Sequence, residues 1–177
     1  MNKAETDSDK QVLVSALNYF RCVLDSDIED FLRQKAINYE NRNWCRTYLI
    51  LDEKAFIDGE IRIEAYFTLS HKTLTAPETI SNSLAKRLNS GIIKETIPFV
   101  LIGQLGKRIV SESDFSFITA REILDYAFEV IYASHELIPC TNVLVECRDE
   151  LKKIYTDYGF SFFQNDGHFN QFYKIIK

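Results

Sequence analysis

Residues 97–105, Ile-Pro-Phe-Val-Leu-Ile-Gly-Gln-Leu, form an almost unbroken apolar run. A strand with no polar face has to be central in its sheet and covered on both sides. Around that strand the remaining periodicities fall into place. Ile61, Ile63, Ala65, Phe67 and Leu69 alternate with Arg62, Glu64, Tyr66 and Thr68, the period of two that marks a strand with one buried face. Trp44 to Asp52 and Asn142 to Cys147 read as two further strands, and part of the apolar segment Val12–Leu24 as the first. Two short strands, Phe160–Phe163 and Phe169–Ile176, close the chain around an Asn165-Asp166-Gly167 turn.

Helices are announced by their ends. Ser26-x-x-Glu29 and Thr119-x-x-Glu122 are capping boxes, in which the hydroxyl takes a free helix N–H and the carboxylate reaches back. The first opens a helix over about 27–41, carrying Ile28, Phe31, Leu32, Ala36 and Tyr39 at helical spacing. The second opens a helix with Ile123, Leu124, Ala127, Phe128 and Ile131 on one stripe. Asp149 is placed to cap a helix over 150–158, with Gly159 just past its end. Residues 77–88 read as a short helix or structured loop. The order predicts a single α/β domain over residues 11–177, preceded by a flexible tail over 1–10.

The chain of 177 residues carries a net charge of −5, and its basic pairs Lys86/Arg87, Lys107/Arg108 and Lys152/Lys153 are short and interleaved with acids. No nucleic-acid partner is expected of such a distribution. The polar N-terminal stretch and the lack of a long apolar run predict a protein without signal peptide or membrane span, left in the cytoplasm. The four cysteines lack CxxC spacing and read as buried reduced thiols. His71, His135 and His168 stand far apart without partners at helical spacing, so no metal site is expected. The aromatic residues of 160–173 read as core plus sheet edge, with an acceptor pocket or the seam of a homodimer as the alternative.

The segment Leu151-Lys-Lys-Ile-Tyr-Thr-Asp-Tyr-Gly-Phe160 resembles the A-x-x-F-Y-x-x-x-G-F signature of the Gcn5-related N-acetyltransferase (GNAT) superfamily, departing at its first position. Ile102 to Lys107 resembles the family strand that pairs with the pantetheine arm. Tyr66 to Ser70 resembles a strand of bacterial and prophage GNAT-like proteins. The resemblance covers roughly residues 45–177. It implies an acyl-CoA N-acyltransferase fold, with a mixed, mostly antiparallel sheet of about six to seven strands flanked by helices.

It also implies transfer of acetyl from acetyl-CoA to a small-molecule or peptide amine by direct attack. Main-chain N–H groups at Leu105, Gly106 and Lys107 would orient the thioester. Lys107, Arg108 and the helix start at Thr119, Ala120 and Arg121 would meet the pyrophosphate, and Tyr155 would protonate the leaving thiolate. Glu64 is the candidate general base through water, with Glu146 behind it; an ion-paired strand residue is the other reading of Glu64.

Three features depart from the family pattern. No glycine lies between Gly106 and Gly159, Ile118 stands where a small residue is usual, and Arg148 stands where many relatives carry Asn. A second function therefore stays open, that of a catalytically degenerate GNAT fold acting as a binding or regulatory module. A toxin that acetylates aminoacyl-tRNA shares the fold, but the acidic balance speaks against it.

Overall fold

The computed structural model describes residues 7–111 and 118–176. Its elements are α1 (Asp7–Tyr19), α2 (Ser26–Asp30), a π-helical stretch (Phe31–Lys35), α3 (Ala36–Asn41), β1 (Arg46–Leu51), α4 (Glu53–Ile57), β2 (Ile63–Thr75), α5 (Asn82–Leu88), β3 (Thr96–Lys107), α6 (Ala120–His135), β4 (Asn142–Cys147), a 3-10 turn (Asp149–Leu151), α7 (Lys152–Asp157), β5 (Ser161–Asn165) and β6 (Asn170–Ile175). The strands form a six-stranded mixed sheet in the order β1-β2-β3-β4-β6-β5. By contact density the chain divides into two compact units, 1–69 with 104–126 and 70–103 with 127–177, so that β2, β3 and α6 each contribute residues to both. Among the described residues no helix is long and apolar enough to cross a membrane.

In the first unit β1 pairs antiparallel with β2 from Arg46↔Leu69 to Leu51↔Ile63. The segment expected to hold a first strand is instead helix α1. Leu13, Ala16, Leu17 and Phe20 recur at helical spacing, and the last three are buried against the core. Only a single parallel bridge, Cys22↔Ile109, remains of the expected strand. Because α1 starts at Asp7, residues 7–10 of the expected tail are helical, and 1–6 lie outside the described residues.

The first capping box also resolves differently. Asp25, not Ser26, caps α2, its Oδ1 accepting from the N–H groups of Asp27 (3.0 Å) and Ile28 (3.3 Å). Glu29 turns outward from the box, accepts the Cys22 N–H at 2.8 Å and pairs with Arg33. A carboxylate one residue earlier is the stronger acceptor for the same helix end.

Tyr66 is the center of this unit. Expected on the polar side of β2, it is fully buried, since α1 and the helix after it cover that face as well. Phe20 meets its ring edge-on at 5.5 Å and Phe31 stacks at 6.2 Å. Its hydroxyl donates to the carbonyl of Ile28 at 2.7 Å. Gly106 on β3 completes the packing, because a Cβ there would stand 2.8 Å from Tyr66 Cε1 and collide with Ile28 Cγ2.

In the second unit β3 and β4 run parallel through Val100–Ile102 against Val143–Val145, and β6 pairs antiparallel with both β4 and β5. Leu74, Leu88, Ile97, Phe99, Leu144 and Phe163 form its core cluster. The expected element at 77–88 is α5, capped by the Ser81 hydroxyl. Asp149 does not cap a helix; it sits in the 3-10 turn, where its carboxylate accepts from Asn170 (2.8 Å) and pairs with Lys152 (2.6 Å).

Burial pushes the Tyr66 phenol well above its ordinary value, so the folded state favors its neutral form. That contribution is complete below about pH 10, where the unfolded phenol titrates, and is lost as pH rises beyond it. Urea midpoints are expected to fall between pH 8 and pH 10.5, and to fall less in Tyr66→Phe. At pH 8 the variant is expected to lose about 1–2 kcal/mol with the hydrogen bond to Ile28; equal pH dependence in both proteins would contradict this account.

Candidate active site

The end of β3 presents its two edges differently. The Gln104 N–H donates to the Thr68 hydroxyl at 2.9 Å and the Arg108 N–H donates to the Glu64 carbonyl at 2.7 Å, so both face β2. Strand alternation turns Gly106 N–H the same way and directs those of Leu105 and Lys107 to the opposite edge. Of the three main-chain groups expected to orient a thioester, two therefore point to an edge that β2 does not use. In the second unit, the parallel ladder of β3 and β4 ends at Ile102↔Val145, although β4 continues to Cys147.

At the start of α6 the second capping box is formed as the sequence predicts. Glu122 N–H donates to Thr119 Oγ1 (3.2 Å), while Thr119 N–H (2.8 Å) and Oγ1–H (2.7 Å) both donate to Glu122 Oε2. The Thr119 N–H and hydroxyl hold the Glu122 carboxyl below its ordinary value. A negative charge thus sits at the helix end that would otherwise attract an anion. Ala120 is half-buried and Arg121 exposed beside it. Most of the polar loop before the box, residues 112–117, lies outside the described residues.

Glu64 is half-buried among cations. Arg62 Nε lies 3.7 Å and Arg108 Nη1 3.9 Å from its Oε1, and Arg62 also pairs with Asp52 at 2.8 Å. The ion-paired reading of Glu64 describes its surroundings, with Arg62 and Arg108 as the partners. Arg62 and Arg108 also line a cleft of about 640 Å³ together with Val12, Tyr19 and Ile61. Apart from Arg108, none of the residues expected to contact the coenzyme lines it.

Tyr155 lies in the second unit, on α7. The signature that contains it is a helix stop in physical terms. Gly159, at φ 93°, is the left-handed residue that ends α7. Its N–H donates to the Thr156 carbonyl at 3.0 Å, and the Phe160 N–H donates to the Tyr155 carbonyl at 3.0 Å. Those are the two bonds of a Schellman motif, and the apolar contact that accompanies it is Tyr155 against Phe160, edge-on at 5.9 Å. Phe160 packs in turn on Phe128 and Tyr158, and Lys174 Nζ lies over Tyr158 at 4.4 Å while donating to its carbonyl.

Tyr155 is buried, and burial pushes its phenol above the ordinary value, with the Cys147 thiol acting in the same direction. Burial also pushes Cys147 up to about 11. Both groups are protonated at neutral pH.

Sequence reasoning missed the partners of Glu146. Lys72 Nζ donates to both its oxygens (2.7 and 2.8 Å), and Gln171, 1% exposed, donates at 2.6 Å. Gln171 reaches it only because β4 and β6 pair in the register Glu146↔Gln171, which no local pattern encodes.

No protein-family model matches the chain, and no curated protein matches it by sequence. Solved structures do match. A Tyr-to-Phe mutant of KacT superposes with a TM-score of 0.71 at 16% identity, covering 90% of this chain and 86% of that one. AtaT complexed with acetyl-methionyl-tRNAfMet matches with a TM-score of 0.69 at 17% identity, covering 90% and 86%. AtaTR bound with acetyl-CoA gives 0.67 at 18%, again covering 90% and 86%. The architecture is the GNAT fold, a six-stranded mixed sheet flanked by helices. Within that fold, the likeness is to KacT and to the toxin AtaT.

Thr119→Ala is expected to cost about 1 kcal/mol, the usual worth of an N-cap, and Gly106→Ala about 1–3 kcal/mol through overpacking. Thermal unfolding checks both; Gly106→Ala at wild-type stability would mean that Ile28 and Tyr66 yield freely.

Proposed function

We propose that this protein transfers an acetyl group from acetyl-CoA to a primary amine, and that the amine is the α-amino group of an aminoacyl-tRNA. The observation that carries the reading is the likeness over 90% of the chain to AtaT holding acetyl-methionyl-tRNAfMet and to AtaTR holding acetyl-CoA. On this reading the acceptor is an amine carried on RNA, where the sequence led to a small-molecule or peptide amine.

The residues present fit the coenzyme at two places. Leu105 and Lys107 direct N–H groups to an edge that can receive the amide-bearing arm as an added strand, and Arg121 with Lys107 supplies positive charge for phosphates. Acetyl-CoA supplies an acyl thioester activated toward attack by a neutral amine. Tyr155 keeps its proton at Oη throughout the neutral range and offers that O–H as a hydrogen-bond donor to developing negative charge on sulfur. Glu64 is the weaker assignment, because two guanidinium groups flank its carboxylate; a water on the amine would pass the proton to it only when Arg108 turns toward another anion.

The capped start of α6 favors the second reading, a GNAT fold that has lost its coenzyme and serves as a binding module. Calorimetric titration with acetyl-CoA, with free CoA as control, separates the two. Micromolar affinity is expected; no binding at millimolar ligand would leave the binding module.

Tyr155→Phe is expected to lower turnover at least tenfold with the acetyl-CoA Kd within about twofold, the split expected when only a transition-state contact is removed. Loss of binding instead would make Tyr155 a packing residue. Glu122→Gln, which removes the charge at the α6 N-terminus, is expected to tighten acetyl-CoA binding severalfold; an unchanged Kd would place the phosphates elsewhere.

A further inference from the structure

We propose that the surface around Trp44 is a stacking platform for single-stranded RNA. The proposal deepens the function above and rests on it only for the source of the RNA. Residues 29–46 carry four basic residues, Arg33, Lys35, Arg42 and Arg46, against three acids, Glu29, Asp30 and Glu40, a local charge of +1 in a chain whose net charge is −5. Arg33 is tied to Glu29, while Lys35, Arg42 and Arg46 are exposed, and the exposed residues among them are the amides Gln34, Asn38, Asn41 and Asn43. Glu40 is drawn inward, accepting the Thr47 N–H at 2.9 Å and pairing with Arg46. From Arg33 onward, what the segment offers to solvent is positive charge and amide groups.

The same segment carries the chain's single tryptophan, 53% exposed. It is also held firmly. Asn43 at φ 57° turns the chain, the Trp44 N–H donates to the Tyr39 carbonyl at 3.0 Å, and Arg46 Nη2 donates to Asn43 Oδ1 at 2.9 Å. Tyr39 meets the indole edge-on at 5.0 Å and meets Phe31 at 5.3 Å, and Phe31 stacks on Tyr66 in the core. The indole is therefore the outer end of an aromatic column anchored in the unit's interior.

Arg42 lies over the indole at 4.8 Å. An aromatic face paired with a guanidinium plane suits an unpaired nucleobase, which can stack on either, while the surrounding cations neutralize its phosphates. Base-edge contacts fall to the amides. A duplex would gain nothing from the indole, since its bases are already stacked.

Emission from Trp44 reports on the platform without any need for turnover. The whole protein, without acetyl-CoA, would be titrated with the hexanucleotide rA6 and with deacylated tRNA. Saturable quenching is expected, with Kd rising severalfold between 50 and 200 mM salt. Arg42→Glu is expected to raise Kd about tenfold, whereas Lys54→Glu, an equal charge change on exposed α4, leaves it within about twofold. By filter binding Trp44→Leu should weaken rA6 about tenfold as well. Bound RNA without quenching, an equal loss in Lys54→Glu, or a stronger response to hexaglutamate than to rA6 would each overturn the platform. Acetylation of methionyl-tRNA and of methionine amide separates the two proposals. If Arg42→Glu and Trp44→Leu keep the wild-type KM for methionyl-tRNA, the platform fails and the activity stands. If RNA quenches Trp44 but neither amine is acetylated, the activity fails and the platform stands.

Discussion

Much of this structure follows from strands that offer no face to water. β3 is apolar through most of its length, and β2 is buried on both faces from Ala65 to Leu69, where Tyr66 and Thr68 are covered along with Phe67 and Leu69. A strand in that state needs cover on both sides. In the first unit the cover on the Tyr66 side comes from α1 and from the helix that begins at Ser26, and the fit is close enough that a Cβ at Gly106 would force Ile28 or Tyr66 to move. The glycine read as a place where a ligand approaches the backbone is first a place where a tyrosine and an isoleucine do.

In the Tyr155–Phe160 signature one set of residues ends a helix and fixes the place of a buried phenol. Gly159 ends α7, Phe160 closes the Schellman bonds, and the apolar contact that goes with them fixes the Tyr155 ring. A phenol held by the stop of its own helix has little freedom to reorient. Its burial keeps the proton in place at neutral pH and also makes it a reluctant acid. The helix stop explains why a short pattern of tyrosine, glycine and phenylalanine can mark a fold even where the first residue of the pattern is a leucine.

Charge on this molecule is informative locally rather than in sum. The net value of −5 speaks against a nucleic-acid partner, yet residues 29–46 alone carry +1 and include an exposed indole with Arg42 over its ring. Screening at physiological salt confines the influence of exposed charges to about 8 Å, so a ligand at Trp44 responds to Lys35, Arg42 and Arg46 more than to distant acids. At the α6 N-terminus the same logic runs the other way. One carboxylate, Glu122, held against the Thr119 N–H, counts for more there than distant charges of either sign.

The sequence by itself determined the elements whose signals are local. The period of two in β2, the apolar run of β3, the Thr119–Glu122 box, the stripe of α6 and the glycine after α7 were all legible, because each depends on residues within a turn or a strand of one another. The candidate site was legible only as far as those signals reach: Tyr155 and the end of β3 were placed by motif, and their surroundings were not. The strand expected in Val12–Leu24 became α1 because burial of Ala16, Leu17 and Phe20 against a core formed by distant residues selected the helical spacing over a short apolar run. Asp25 displaced Ser26 as cap once Glu29 was taken by Cys22 and Arg33. Glu64 acquired Arg108, and Glu146 acquired Lys72 and Gln171, through strand register and side-chain reach across 25 to 74 positions. Only the tertiary structure decides such partners, since ion pairs and buried hydrogen bonds depend on distance in space and leave no period in the sequence.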